Sequence, residues 1–278
     1  MPELPETETI ARDLDVEVRA AIIAAVTVPR PDVVREVSAD QMTNTLVGAT
    51  IVRAWRRAKL VVLDLTTPEG PRHLVVQPRF TGGLLVRSLD ADDALGDYHC
   101  VTMTLQDSRT LVYRDVRRLG TVALMDPVRF ASYSGALGPE PLDPQLGDAE
   151  FSVLLRVSRQ PVKAVLMDQR RLAGVGNIYA NEALWRAGID PSREAQSLTE
   201  TEAAVLRQAL CDVLTASIAA RGTSFRDYRD ARGERGSFVA QLAAYGRAGE
   251  PCQRCGRRLV GTHAVDGRST VFCPSCQH

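Results

Sequence analysis

Thr50-Ile51-Val52-Arg53-Ala54-Trp55, Leu60-Val61-Val62-Leu63-Asp64-Leu65 and Cys100-Val101-Thr102-Met103-Thr104-Leu105 are short runs rich in β-branched and apolar residues. Between Ala49 and about Met125 they alternate with four others: His73–Val76, Leu84–Val86, Thr110–Tyr113 and Thr121–Leu124. Polar residues such as Gln106-Asp107-Ser108 separate them. Side chains of this kind fill a pleated, half-buried surface, and turn residues at short intervals let such strands fold back on one another. The texture predicts a β-sandwich.

Upstream, Ile10, Leu14, Val18 and Ile22 recur at every fourth position, which places them on one face of a helix running from Glu6 to about Ala25. Pro29 and Pro31 end the pattern. Downstream, residues 134–149 are dense in Pro and Gly and read as a hinge. Helical patterns follow at about 150–157, 161–168, 178–187 and 199–220, the last opened by a capping box of Thr199 and Glu202. The expected fold class is α+β in two domains. A β-sandwich with a leading helix occupies residues 1–133, the hinge 134–149, a helical domain 150–240 and a cysteine-bearing module 241–278.

That module carries Cys252-Gln-Arg-Cys255 and, after a 17-residue gap, Cys273-Pro-Ser-Cys276. Two-residue spacers let paired thiolates reach one tetrahedral ion, so one structural Zn²⁺ is expected. The competing reading is two disulfides, which a reducing compartment disfavours. Cys100 and Cys211 lie in strand-like and helix-like runs and read as core residues. Between the cysteine pairs the chain reads as a β-hairpin with Arg257, Arg258 and Arg268 against Asp266. Such a hairpin suits phosphate groups, and it equally suits a protein-interaction or purely structural module.

Apolar content of 45% and charged content of 24% are those of a globular protein, and no apolar run approaches a membrane span. The acidic start lacks signal-peptide character, so a cytoplasmic location is expected. Net charge is zero, yet residues 1–150 hold 16 basic against 22 acidic side chains and residues 151–278 hold 18 against 12. Either the second half carries a polyanion-binding face, or two solvated surfaces differ by chance. Lys59 and Lys163 are the only lysines among 34 basic residues. Where a small second residue permits loss of Met1, Pro2 becomes a terminal secondary amine. An α-amino group with pKa near ~8 is partly neutral at physiological pH and can attack the anomeric carbon of a sugar to form an iminium. Glu3 and Glu6 lie close enough in sequence to move protons beside it. The plainer alternative is that Pro2, Pro5 and Glu6 simply start a helix.

Taken in order, five segments resemble the formamidopyrimidine-DNA glycosylase and endonuclease VIII family. They are Met1-Pro2-Glu3-Leu4-Pro5-Glu6-Thr7-Glu8-Thr9, Arg56-Arg57-Ala58-Lys59, Leu137-Gly138-Pro139-Glu140-Pro141-Leu142, Gly174-Val175-Gly176-Asn177-Ile178-Tyr179-Ala180-Asn181-Glu182, and the four cysteines. The likeness runs from residue 2 to 276 and leans toward the formamidopyrimidine branch. It implies a helix–two-turn–helix domain followed by a zinc finger. It also implies a bifunctional glycosylase and abasic-site lyase of base excision repair that takes oxidised purines from double-stranded DNA and nicks the strand by β,δ-elimination. By the same resemblance Pro2 is the nucleophile, Glu3 handles protons at the sugar, Glu6 is a supporting carboxylate and Lys59 contacts the phosphate by the lesion. Asn177 and Arg268 hold phosphates beside the extruded nucleotide, and Lys163, which matches a family lysine of less defined role, is grouped with them as a DNA-binding residue. A monomer is expected, with no membrane partner, no nucleotide cofactor and no catalytic metal.

The sequence departs from the family at the wedge that fills the vacated stack. Pro78-Arg79-Phe80-Thr81-Gly82 stands where Leu-Gly-Met-Ser-Gly is usual, and Asp115-Val116-Arg117-Arg118-Leu119-Gly120 where Asp-Pro-Arg-Arg-Phe-Gly is usual. Phe80, Arg117 and Leu119 then form the wedge, with an aromatic and an aliphatic exchanged between loops. The exchange leaves open an endonuclease VIII-like preference for oxidised pyrimidines, and a catalytically silent lesion binder is the third reading. Ser224–Gly236 corresponds to the family's loop over the flipped base, without residues that assign contacts.

Overall fold

A computed structural model describes residues 2–88 and 98–278. The chain forms two compact units, Met1–Gly135 with Ala220–Ser237, and Ala136–Ala219 with Phe238–His278. Met1 lies outside the described residues.

The first unit opens with α1 (Leu4–Val18), then β1 (Ile23–Thr27), β2 (Val34–Arg35), α2 (Ala39–Leu46), β3 (Thr50–Arg57), β4 (Leu60–Thr67) and β5 (Gly70–Gln77). After these come β6 (Gly82–Ser88), β7 (His99–Leu105), β8 (Arg109–Asp115), β9 (Thr121–Met125) and α3 (Pro127–Gly135). The strands make two sheets, ordered β1-β7-β8-β6 and β2-β9-β5-β4-β3. Among the described residues the pairings of these strands are antiparallel except β2 with β9. Leu63, Leu74 and Val76 of one sheet share a single apolar core with Val101, Met103 and Leu111 of the other, as the alternating runs predict. Ile10, Leu14 and Val18 bring α1 into the same core.

The helix is shorter than its periodicity. It stops at Val18, Ala20 takes a positive φ of 65°, and Ile23–Thr27 pairs with β7 instead. Ile22 keeps the four-residue spacing, but β-branched Ile23, Val26 and Thr27 fit a strand once β7 offers an edge. Also unanticipated were α2, capped reciprocally by Ser38 and Gln41, and α3.

The second unit holds α4 (Asp148–Arg156), α5 (Val162–Met167), α6 (Asn177–Ala187), α7 (Glu200–Ala219) and a hairpin of β10 (Val260–Thr262) and β11 (Thr270–Phe272). Thr199 and Glu202 cap α7 as expected, Thr199 N–H donating to Glu202 Oε2 at 2.8 Å and Glu202 N–H to Thr199 Oγ1 at 3.2 Å. Tyr179 and Ser217 hydroxyls join α6 to α7 at 2.7 Å inside the core. A small second core under the hairpin gathers Trp185, Ala244, Leu259, Val271 and Cys273. The helical domain expected over 150–240 is interrupted, because Ala220–Ser237 belongs to the first unit. Tyr228 and Ala231 from that segment are buried in the sandwich core. Among the described residues no helix is long and apolar enough to cross a membrane.

Candidate functional site

Pro2 is buried directly ahead of α1, and Glu3 takes the N-cap position with an extended backbone at φ −108°. Glu3 and Glu6 form a reciprocal capping box, in which Glu3 N–H donates to Glu6 Oε2 at 2.8 Å. Glu6 Oε1 accepts the Thr223 N–H at 2.8 Å, so both carboxylate oxygens are held by backbone donors. Glu3 is 2% exposed and Glu6 1%. Burying two carboxylates is costly, and a helix cap needs only one short polar side chain in water. The sequence therefore spends more charge here than starting a helix requires.

Lys59 sits in the turn joining β3 to β4, half-buried, after Ala58 at a positive φ of 54°. That turn is tied to the first turns of α1. Thr7 Oγ1 donates to the Ala58 carbonyl at 3.3 Å, and Arg56 bridges the same carbonyl at 3.1 Å and Glu8 Oε2 at 2.6 Å. Burial pushes the Glu8 carboxyl up, but Arg56 and Arg12 outweigh it and hold the group below its usual range. Pro2, Glu3, Glu6 and Lys59 are thus collected at one end of the first unit by contacts between α1 and a single turn.

Ala220–Ser237 completes that end with residues the sequence reading left unassigned. Gly222 has φ 88°, and a Cβ there would stand 3.0 Å from Glu6 Cγ, so glycine meets both a conformational and a spatial demand. Arg221 bridges Asp13 Oδ2 at 2.6 Å and Asp230 Oδ2 at 2.8 Å, and Tyr228 Oη donates to the Glu6 carbonyl at 3.4 Å. Burial raises Asp13 against the pull of Arg221; burial and the Glu6 charge raise Tyr228, keeping its hydroxyl a donor. Val86 N–H donates to the Ala231 carbonyl at 2.9 Å, fixing the segment to β6. One signal was available: Glu6, Thr9 and Asp13 put polar groups on a single face of a helix that, Thr7 apart, otherwise buries apolar residues.

Phe80 and Leu119, expected in the wedge, stand 47% and 39% exposed, and Arg117 is exposed too. The Arg117 guanidinium lies 5.3 Å from the Phe80 ring centroid. The structure brings these residues together at one end of the β6–β8 pair.

In the second unit, Asn177 begins α6 after a Gly174-Val175-Gly176 turn held by Gln169, whose Oε1 accepts Gly174 N–H at 2.9 Å and whose Nε2 donates to Val175 O at 2.9 Å. Gln169 had no signal in the sequence. Asn177 Nδ2 donates to the Ser269 carbonyl at 3.0 Å, next to the exposed Arg268. Lys163, grouped with the DNA-contacting residues from the sequence, is fully buried. Its ammonium donates to Thr270 Oγ1 at 2.7 Å, Ser269 O at 3.2 Å and Asp266 Oδ1 at 3.3 Å. In this conformation it is a strut beneath the hairpin that carries Arg268. Asn181 accepts the Val271 N–H at 2.7 Å and fixes the same strand. Glu182, fully buried, accepts backbone N–H groups of Ala243, Ala244 and Tyr245 at 2.8–2.9 Å.

The sulfurs of Cys252, Cys255, Cys273 and Cys276 all lie within 4.8 Å of one another, and Cys255 and Cys273 are 3.5 Å apart. Thiolates at ~2.3 Å from one zinc lie about 3.8 Å apart, so the cluster fits the ion. Burial would raise the Cys252 thiol, but backbone N–H groups of Arg254 and Cys255 and the Trp185 indole bring it down to about 6. Arg254 covers that indole, 4.3 Å from the ring. Cys100 is buried in the sandwich core, and Cys211 donates to Pro141 O at 3.2 Å; neither joins the cluster.

Comparison with known proteins bears on each part. The formamidopyrimidine-DNA glycosylase N-terminal domain model matches residues 1–122, and the formamidopyrimidine-DNA glycosylase H2TH domain model matches 137–229. The zinc finger found in FPG and IleRS matches 249–278, and with four clustered thiols the module holds one structural zinc. Their order along the chain defines the class: a DNA glycosylase with H2TH and zinc-finger modules. Formamidopyrimidine-DNA glycosylases of Desulfitobacterium hafniense and Enterococcus faecalis are 40% and 37% identical, each match spanning 100% of this chain and 100% and 97% of the relative. The solved Lactococcus lactis Fpg (MutM), in complex with DNA containing N7-benzyl-Fapy-dG, has a TM-score of 0.90 at 32% identity, with both chains fully covered. The same protein with abasic-site DNA gives 0.89. The chain belongs to the formamidopyrimidine-DNA glycosylase family.

Proposed function

We propose that the protein is a bifunctional glycosylase and abasic-site lyase that excises oxidised purines, formamidopyrimidines and 8-oxoguanine, from duplex DNA. The observation that carries the reading is the placement of Pro2 directly before two buried carboxylates that cap each other. With Met1 removed, the neutral secondary amine attacks C1′ of the everted nucleotide. The glycosidic bond breaks, the base leaves with the bonding pair, and a ring-opened iminium forms. Glu3 protonates the ring oxygen as the sugar opens; Glu6, fixed by the Glu3 and Thr223 N–H groups, supports it. The iminium then accepts electrons as the 3′ and 5′ phosphates leave by β- and δ-elimination. Hydrolysis frees the amine.

Lys59 supplies a compact charge to the phosphate beside the lesion, Asn177 and Arg268 hold flanking phosphates, and Phe80, Arg117 and Leu119 fill the vacated stack. Lys163 acts through the hairpin. The four cysteines hold the zinc, which shapes the finger and takes no part in the chemistry. The working architecture is a catalytic sandwich over residues 1–133, a hinge over 134–149, a DNA-binding domain and the finger, in a monomeric cytoplasmic protein.

Borohydride reduction during turnover of an 8-oxoguanine or abasic duplex tests this directly. Protein whose mass shows a free Pro2 should be trapped on the strand, and Pro2→Gly should lose most of the adduct. Absence of an adduct from correctly processed protein refutes the proline mechanism and leaves a silent lesion binder. A second reading, excision of oxidised pyrimidines, is favoured by the exchanged wedge residues, and the Lactococcus lactis relative has been solved with DNA containing an oxidised pyrimidine. Parallel cleavage of duplexes with 8-oxoguanine, formamidopyrimidine or thymine glycol separates the two.

A further inference from the structure

The two wedge loops leave neighbouring strands at the same end of the sheet, where Gly82 of β6 pairs with Asp115 of β8. The Phe80 loop closes on itself through Gly82 N–H to Pro78 O at 3.0 Å. The Arg117–Leu119 loop follows Asp115. Arg79 and Arg118, one in each loop, both take φ of 52°, so neither loop is relaxed by its own backbone preferences.

Asp115 joins the two loops. It is 1% exposed, and its carboxylate is filled by donors from both sides. Oδ1 accepts from the Thr81 hydroxyl and from Arg117 N–H at 3.2 Å; Oδ2 accepts Gly120 N–H at 2.8 Å and Tyr113 Oη at 3.2 Å. The Thr81 oxygen in turn accepts Arg117 N–H at 3.0 Å. Burial and the Asp115 charge push the Tyr113 hydroxyl far up, so it remains a donor. Gly120 leaves no slack: a Cβ there would stand 2.0 Å from Tyr113 Oη and 2.6 Å from Gln77 O. One donor to the loop following β8 would close that strand end. Here a buried charge spans two loops and adds a side-chain hydroxyl from beside Phe80.

We infer that Thr81 and Asp115 are positioning residues for the wedge, locking Phe80 and Arg117–Leu119 into one unit that enters the duplex without rearrangement and reads the base left behind. The inference rests on the glycosylase reading for its biological sense, although the coupling itself concerns only how the protein unstacks DNA. Ordering a free loop on binding adds an entropic cost to that of unstacking the duplex. A latch already closed in the free protein removes the first cost. It also keeps the Arg117 guanidinium over the Phe80 ring, so discrimination of the opposite base depends on both loops at once.

Thr81→Val keeps shape while deleting the hydroxyl, and Thr81→Ser restores it. Asp115→Asn, which sets an amide N–H against the Gly120 or Arg117 donors, is the stronger but less conservative variant. Each is mixed with a duplex bearing a tetrahydrofuran abasic analogue opposite 2-aminopurine, and orphan-base fluorescence is read without any need for turnover. In parallel, kcat/KM is compared for 8-oxoguanine opposite each of the four bases, and for a preformed abasic site in single-stranded DNA. Thr81→Val should lose most of the fluorescence rise. It should lower duplex kcat/KM about tenfold, flatten the opposite-base ratios, and leave single-strand cleavage within about twofold, with Thr81→Ser near wild type. Wild-type fluorescence and ratios in Thr81→Val would overturn the latch. A fluorescence rise that wild type shows and Thr81→Val loses, in protein that cuts nothing, would instead uphold the latch and sink the catalytic reading.

Discussion

Glu182→Gln is a change of one atom whose consequence can be worked out from three bonds. The carboxylate has no exposure and accepts Ala243 N–H on Oε2 at 2.9 Å, with Ala244 and Tyr245 N–H on Oε1 at 2.9 and 2.8 Å. A glutamine keeps one oxygen, which can still serve Ala244 and Tyr245. Its amide nitrogen then faces the Ala243 N–H, donor against donor. The Ala243 N–H loses its acceptor and the new amide N–H finds none, at about 1–3 kcal/mol each, and the two surviving bonds lose their charge assistance, for a total of about 2–6 kcal/mol. In a unit of this size that lowers the melting temperature by roughly 10–20 °C. The segment released leads into the finger through Ala243 and Ala244, which pack in the core with Cys252 and Cys273. Scanning calorimetry with a chromogenic zinc chelator present should therefore show earlier unfolding of the second unit and faster zinc release. A variant within about 1 kcal/mol of wild type, holding its zinc as tightly, would refute the claim that this carboxylate anchors the finger.

Lys163→Met should cost about 3 kcal/mol or more in unfolding free energy, because Asp266 is left buried without its cation. A lysine whose task was to touch phosphate would leave melting unchanged on removal. For pH, the Arg193 guanidinium and then the Thr199 N–H hold Glu202 down at about 2, from an ordinary 4.5. A depressed carboxylate stabilises the fold fully above its unfolded value and loses that contribution as pH falls. Wild type should thus melt above Glu202→Gln near neutrality, with the gap closing between about 4.5 and about 2; a gap independent of pH would contradict the assignment.

The wedge shows how far residue pattern reaches. The family resemblance puts Phe80, Arg117 and Leu119 in the wedge loops, yet nothing local links Thr81 to Asp115, 34 positions away. Lys163 shows the reverse case. Its type and position matched a DNA-contacting family, while burial beneath the hairpin turned its donors inward.

Taken alone, the sequence determined what depends on spacing: the strand runs, four helices of the second half, the thiol quartet, and a proline followed by two acids. These are short-range properties, written in periodicity and in the reach of adjacent side chains. Tertiary structure decided what depends on partners distant along the chain. It turned the end of the predicted first helix into a strand because β7 offered an edge. It drew Ala220–Ser237 onto α1 through Arg221, Asp13 and Asp230. It also filled the Glu6 carboxylate from Thr223, 217 residues away. A buried charge is stable only where donors converge on it, and that convergence exists only once the chain has folded.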